Sequence, residues 1–210
     1  MNVLVAGANG TTGRLVLKEL QKAGHEARAL IRNKEQAHDM KELGATPVIG
    51  DLEGDLSEAV KGSDAIIFAA GSGSKTGPDK TVAVDRDGAI ALIEEAEKQQ
   101  ISRFVMLSSM GVDQPENGPE GLQHYLEMKA EADERLESSR LHYTIVRPGA
   151  LTNEAGTGKI KAGVKIGRGS VTREDVASVL VKAMELEHTN HKIFEMLNGE
   201  QNIDDALKAL

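Results

Sequence analysis

Tyr125 and Lys129 stand four residues apart inside an amphipathic segment, and the hydroxyl pair Ser108-Ser109 ends an apolar run shortly before it. A phenol can give or take a proton, and an ammonium one turn away favours the phenolate, moving the phenol toward a useful acid–base range. A serine hydroxyl at the same edge can polarise a carbonyl or alcohol oxygen. Leu122, Tyr125, Leu126, Lys129, Ala132 and Leu136 recur at spacings of three and four, so they share one helical face. Lys129 interrupts that apolar stripe, and a lysine on a buried face requires an anionic or hydrogen-bonding partner. A Tyr-x-x-x-Lys spacing also arises by chance, so its weight depends on where the fold places it.

A second group of residues could hold the reagent. The apolar run 3–6 leads directly into Gly7-Ala8-Asn9-Gly10-Thr11-Thr12-Gly13, and a helical pattern follows. Three glycines at three-residue spacing permit a tight turn, close approach of a pyrophosphate to bare backbone, and close packing of helix on strand. The amides of Thr11 and Thr12, with Asn9 in the turn, would then meet phosphate at a helix N-terminus, where the dipole also favours an anion. About twenty residues further on, where an acid would bind a free ribose 2′-hydroxyl, the chain has Arg32 with Lys34 nearby. NADP(H) is therefore expected ahead of NAD(H). Asp51 and Leu52 fall where an adenine would lie, Asp51 being equally suited to cap the next helix. Ala69, Ala70 and Gly71 are small enough to let backbone approach the cofactor.

The elements that must carry these residues alternate. Short apolar runs at 3–6, 27–31, 46–49, 65–70, 103–107 and 143–146, with a weaker one at 192–196, read as strands. Amphipathic patterns at 12–22, 34–43, 56–61, 81–98, 121–138 and 173–185 read as helices. Alternation of this kind predicts an α/β protein with a parallel sheet, and ligands bind beyond the carboxyl ends of such strands. The stretch 153–170 is rich in Gly and Lys and reads as a long loop or small ribbon over one end of the sheet, mobile or acting as a substrate lid.

Composition removes several alternatives. The chain has no cysteine, so disulfides, thiolate metal sites and thiol nucleophiles are excluded. Its 210 residues carry a net charge of −8 with three Phe, two Tyr and no Trp, which speaks against a nucleic-acid partner. The six histidines show no metal-binding spacing, so no metal site is expected, and His124 should point off the catalytic face. The acids of Arg173-Glu174-Asp175 are explained by a helix cap after Thr172. The start lacks a basic leader and no apolar run reaches the length of a membrane span, so the expectation is a soluble, cytoplasmic protein without a membrane partner.

Taken together, Gly-x-x-Gly-x-x-Gly, Gly50-Asp51-Leu52, Ala69-Ala70-Gly71, Val84-Asp85, Leu107-Ser108-Ser109, Tyr125-x-x-x-Lys129, Arg147-Pro148-Gly149 and Arg173-Glu174-Asp175-Val176-Ala177 resemble the short-chain dehydrogenase/reductase superfamily. The likeness covers nearly the whole chain and is greatest to the atypical branch allied to NAD(P)-dependent epimerase/dehydratases and NmrA-like proteins. It implies a doubly wound Rossmann sheet in one NAD(P)-binding domain, 1–210, with a small C-terminal extension, 150–210, on the substrate side. It also implies catalytic places for Ser109, Tyr125 and Lys129, with Lys129 holding the nicotinamide ribose and Pro148 lying near the nicotinamide. The superfamily's asparagine on the long helix is replaced by Asp85, a carboxylate that accepts but cannot donate as an amide does. The activity implied is hydride transfer to or from a small carbonyl or alcohol by a monomer or homodimer. A non-catalytic NADPH sensor is the alternative, and a nucleotide-sugar epimerase or dehydratase ranks behind both.

Overall fold

The computed structural model of the chain describes residues 1–73 and 76–210. Its first half runs β1 (Asn2–Ala6), α1 (Thr11–Lys22), β2 (Glu26–Ile31), α2 (Ala37–Glu42), β3 (Thr46–Ile49), α3 (Ser57–Val60), β4 (Ala65–Phe68), α4 (Pro78–Lys80), a π-helical segment (Thr81–Gly88) and α5 (Ala89–Lys98). The second half runs β5 (Arg103–Leu107), α6 (Glu120–Glu137), β6 (His142–Pro148), β7 (Ala150–Thr152), β8 (Lys159–Gly163), β9 (Ser170–Thr172), α7 (Arg173–Glu185), β10 (Lys192–Asn198), β11 (Gln201–Asn202) and α8 (Ile203–Lys208).

Nine strands form one sheet in the order β11-β8-β10-β6-β5-β4-β1-β2-β3, parallel from β10 through to β3. Strand order reverses at β1, from which β2 and β3 extend to one side and β4, β5 and β6 to the other. A switch point of this kind opens a crevice beyond the carboxyl ends of β1 and β4, which is where the glycine loop emerges. The central strands are buried on both faces because helices cover both. Val16, Leu17 and Leu20 of α1 pack with Val176 and Leu180 of α7 on one face. Val60 of α3, Leu92 and Ile93 of α5, and Leu136 of α6 cover the other. Full burial of each such side chain stabilises by about 1.5–3 kcal/mol.

Three sequence readings need correction. Of the long loop or small ribbon read over 153–170, the loop is overturned, because Lys159–Gly163 enters the main sheet itself, antiparallel to β10 and β11. Its preceding turn is pinned as well: Asp175 accepts from the Thr157 and Gly158 amides at 2.9 and 2.8 Å, and Glu174 accepts from that of Gly156 at 2.7 Å. A freely moving lid is not what these bonds describe. The expected helix 81–98 begins as wide π turns, which bury Asp85 and bring Gly88 so near Leu52 that a Cβ there would stand 2.8 Å from the Leu52 Cβ. Leu122 was placed in the inward stripe of α6 but is 50% exposed, one turn before burial begins at Leu126. Residues 74 and 75, between β4 and α4, lie outside the described residues. Among the described residues, no helix is long and apolar enough to cross a membrane.

Candidate functional site

Gly7 has φ +78°, and a Cβ there would sit 2.5 Å from the backbone of Ala70. The loop thus touches the small residues that end β4, as their sizes require. A Cβ on Gly13 would sit 2.1 Å from the Gly7 carbonyl oxygen, so the third glycine lets α1 start against the loop itself. Gly10 is the N-cap, offers no side-chain bond, and is followed by a first turn without an acid. The opening amides of α1, including Thr11 and Thr12, lack intrahelical partners by geometry, and no side chain among the described residues caps them. This bare cradle fits a diphosphate.

Arg14, which follows the third glycine, was not singled out in the sequence. Its guanidinium fixes the loop by donating to Asn9 Oδ1 at 2.6 Å and to Asp39 Oδ2 at 2.7 Å, and the pairing holds the Asp39 carboxyl below the usual carboxylate range. A cleft of about 400 Å³ adjoins the loop, lined by Asn9, Thr11, Arg14, Asn153 and Arg173 among others. Arg32 is exposed just beyond β2 and pairs with no carboxylate among the described residues. Asp51 caps a local turn through the Glu53 amide at 3.1 Å, whereas the start of α3 is served by Asp55, which accepts from Ser57 at 2.9 Å.

The acid–base group gathers at the ends of β4, β5 and β6. Lys129 is 1% exposed and donates to the Leu107 carbonyl at 2.7 Å, with its ammonium 5.4 Å from the centre of the Phe68 ring. Asp85 is fully buried, and one of its oxygens accepts from the Ser72 amide at 3.0 Å beside Gly71. Tyr125 is half-buried, and its hydroxyl has no hydrogen-bond partner among the described residues. Ser109 is half-buried and donates to the Met110 carbonyl at 3.1 Å. Pro148, buried at the end of β6, accepts from the Met110 amide at 3.0 Å.

Beneath this group lies a residue that sequence reasoning missed. Asp133 is 1% exposed, accepts from Ser108 Oγ at 2.8 Å, and meets Arg147 at 3.1 Å; Arg147 reaches on to the surface carboxylate of Asp113 at 2.5 Å. The available signal was spacing, because Asp133 follows Lys129 by four residues on the same helical face. Burial pushes the Asp133 carboxyl up, while Arg147, Lys129 and Ser108 pull it down. Burial pushes the Lys129 ammonium down, and Asp85 and Asp133 oppose that. Tyr125 moves opposite to the sequence expectation: burial first, then the charges of Asp85 and Asp133, raise its phenol well above the ordinary value. Among the described residues, no group of three or more potential ligand side chains could hold a metal ion.

These features define a class, nucleotide-binding α/β proteins with the cofactor cradle at the strand switch point. The chain belongs to the NAD(P)H-binding family, whose pattern matches residues 7–187. It is 42% identical over 214 residues to a Bacillus subtilis protein named uncharacterized sugar epimerase YhfK, covering the whole of both chains. It superposes with a TM-score of 0.97 and 47% identity on a Bacillus halodurans structure that carries the name of a NAD-dependent epimerase/dehydratase, again over all of both chains. The oxidoreductase ylbE from Lactococcus lactis superposes with a TM-score of 0.91 at 32% identity, over 100% of this chain and 96% of that one.

Proposed function

We propose that the protein is an NADPH-dependent oxidoreductase acting on a small carbonyl or alcohol. The observation that carries this reading is Lys129, one turn after Tyr125 on α6, bonded to the Leu107 carbonyl at the carboxyl end of β5, the strand beside β4, after whose end Ala69 and Ala70 meet the bare cradle of Gly7, Gly10 and Gly13. The cradle and the amides of Thr11 and Thr12 hold the diphosphate, Ala69 to Gly71 admit the nucleotide, and Pro148 bounds the nicotinamide end. A bound nicotinamide supplies or accepts the hydride. Tyr125 exchanges the proton at the substrate oxygen, Ser109 polarises that oxygen, and Lys129 secures the ribose. Arg32, exposed and paired with no carboxylate among the described residues, suits a 2′-phosphate, and no acid occupies its place to repel one.

The free Tyr125 hydroxyl and a Ser109 hydroxyl bonded to its neighbour's carbonyl also suit a protein that binds NADPH without turnover. Titration with NADPH and NADH, followed by NADPH oxidation against aldehydes, quinones, flavins and a nucleotide sugar, separates the two. Tyr125→Phe should retain NADPH affinity and reduce turnover by about 10²–10⁴-fold. Tight binding with no turnover on any compound would leave the sensor. Arg32→Asp should weaken NADPH far more than NADH, and equal weakening would remove Arg32 from the site.

A further inference from the structure

The cleft of about 400 Å³ has the phosphate loop on one side, with Asn9, Thr11 and Arg14, and Asn153 and Arg173 on the other. The small sheet delivers that second side. β7 and β9 pair in parallel with Thr152 opposite Thr172, so Asn153 and Arg173, the residues that follow, both leave its carboxyl end. Arg173 is half-buried, and its Nη1 donates to Asn153 Oδ1 at 2.8 Å and to the Leu151 carbonyl at 3.3 Å. Among the described residues its Nε and Nη2 make no bond, and it pairs with no carboxylate. The acids nearby are engaged elsewhere or exposed. Asp175 is buried and accepts from Thr157, Gly158 and Thr172, Glu174 holds the Gly156 amide, and Glu154 is exposed. Across the cleft, Arg14 is paired with Asp39.

Arg173 is the first residue of α7, and the cap at Thr172 accounts for the acids beside it but not for a cation in that place. The helix macrodipole is positive at this end, so an arginine there is disfavoured unless an anion faces it. Membership of the NAD(P)H-binding family supplies one, since NADH and NADPH both carry a diphosphate. We propose that Arg173 is the second jaw of the diphosphate site: the amides of Thr11 and Thr12 hold one side of the diphosphate, and the Arg173 guanidinium, steadied by Asn153, donates to it from across the cleft. Neutral oxygens orient the guanidinium without neutralising it, so its charge and its Nε and Nη2 donors are kept for the ligand. Asp175 and Glu174 pin the turn behind Asn153, so the donor is set before the ligand arrives and loses less freedom on binding. Asn153 acts as a positioning residue. This rests on the cradle's part in the proposed function and needs no turnover.

Calorimetry of the full chain with NADPH, NADH and 2′-AMP tests this without a substrate, because 2′-AMP carries the 2′-phosphate and no diphosphate. Arg173→Met should weaken NADPH and NADH by the same factor, about tenfold or more for loss of a charge-assisted bond, and leave 2′-AMP unchanged. Arg32→Asp should give the complementary pattern, weakening NADPH and 2′-AMP far more than NADH. Far-ultraviolet circular dichroism checks that each variant is folded. Should Arg173→Met fail to fold, Asn153→Ala carries the test, since Asn153 is exposed and its side chain bonds Arg173 alone among the described residues. It should show a smaller loss of the same pattern, equal for the two dinucleotides and absent for 2′-AMP. Unchanged affinity for NADPH and NADH in a folded variant overturns the proposal. A loss shared by 2′-AMP overturns it too, because it would mark a general structural role. If the parent bound neither dinucleotide, the cradle would fall together with the jaw, whereas binding indifferent to Arg173 removes the jaw alone.

Discussion

The two ends of the β5–β6 pair use similar materials in different ways. At the amino end Arg103 is buried and donates only to neutral oxygens: the carbonyls of His142, Ala183 and Met184 and the hydroxyls of Thr144 and Thr189. Burial without a counter-charge pulls its guanidinium down to about 10. At the carboxyl end Arg147 faces two carboxylates, Asp133 and Asp113. Two of the four buried side-chain atoms left without a partner among the described residues, Asp85 Oδ1 and Asp133 Oδ1, belong to this end. Where each nitrogen of a buried cation is bonded, the network fastens elements together. At the carboxyl end two buried acceptors are left over among the described residues, near the residues proposed for proton transfer, and each such group calls for an explanation.

The largest expected effect lies at the fastening end. Ala183 and Met184 are in the last turn of α7, whose carbonyls have no helical partners, and Arg103 supplies the missing donors from beneath the sheet. Arg103→Met should lower the unfolding free energy by about 3–5 kcal/mol, because several charge-assisted bonds vanish and the Met184 and His142 carbonyls lose a donor, while Ala183 keeps that of Thr189. Chemical denaturation measures this. The loss should be constant between about pH 5 and 8, since none of the partner groups titrates there, and NADPH affinity of the folded fraction should be unchanged. A parallel fall in affinity would mean that the two ends are mechanically coupled.

Arg147→Met makes the matching break at the other end, and its signature is pH dependence. With Arg147 gone, burial of Asp133 is opposed less, so its folded-state pKa rises further above that of the unfolded chain. Between those values the folded state binds more protons than the unfolded one, so stability falls as pH rises. The deficit against the parent should be about 2–4 kcal/mol at neutral pH and should shrink as pH drops through the folded pKa. Denaturation curves at a series of pH values check this. A deficit independent of pH would show that Asp133 carries no buried charge.

What the sequence could reveal differs between these networks for a physical reason. Glycine spacing, the apolar runs of β1, β4 and β5, and Tyr125 with Lys129 are local features, so chain order alone placed them. The strand Lys159–Gly163 was read no more sharply than as a loop or small ribbon because it has one exposed face and joins β10 and β11 only through long-range pairing. The π turns around Asp85 depend on packing against Leu52 and α6, which no short window contains. Asp133 looked like an ordinary solvated helix acid, and its burial depends on Arg147 and Ser108 arriving from two strands. The upward shift of Tyr125 was illegible for the same reason, since a nearby Lys129 is visible in the sequence while the burial of the phenol, and the charges of Asp85 and Asp133 after it, are not.

Ser108 and Ser109 bring the comparison down to adjacent residues. Ser108 is buried and spends its hydroxyl on Asp133, whereas Ser109 is half-buried and bonded only to the next residue's carbonyl. Ser108→Ala removes one bond to a carboxylate that Arg147 still holds, and should reduce stability by about 1–2 kcal/mol. Ser109→Ala breaks no tertiary bond and should stay within about 0.5 kcal/mol of the parent. Turnover should respond in the reverse order. Loss of the Ser109 hydroxyl takes a donor from the reacting oxygen and should slow the reaction by about 10²-fold or more, while Ser108→Ala acts only through the field of Asp133. Denaturation and NADPH oxidation on the same two variants read both quantities. If Ser108→Ala were the slower enzyme and the less altered fold, the buried serine would be the catalytic one and Asp133 its direct partner.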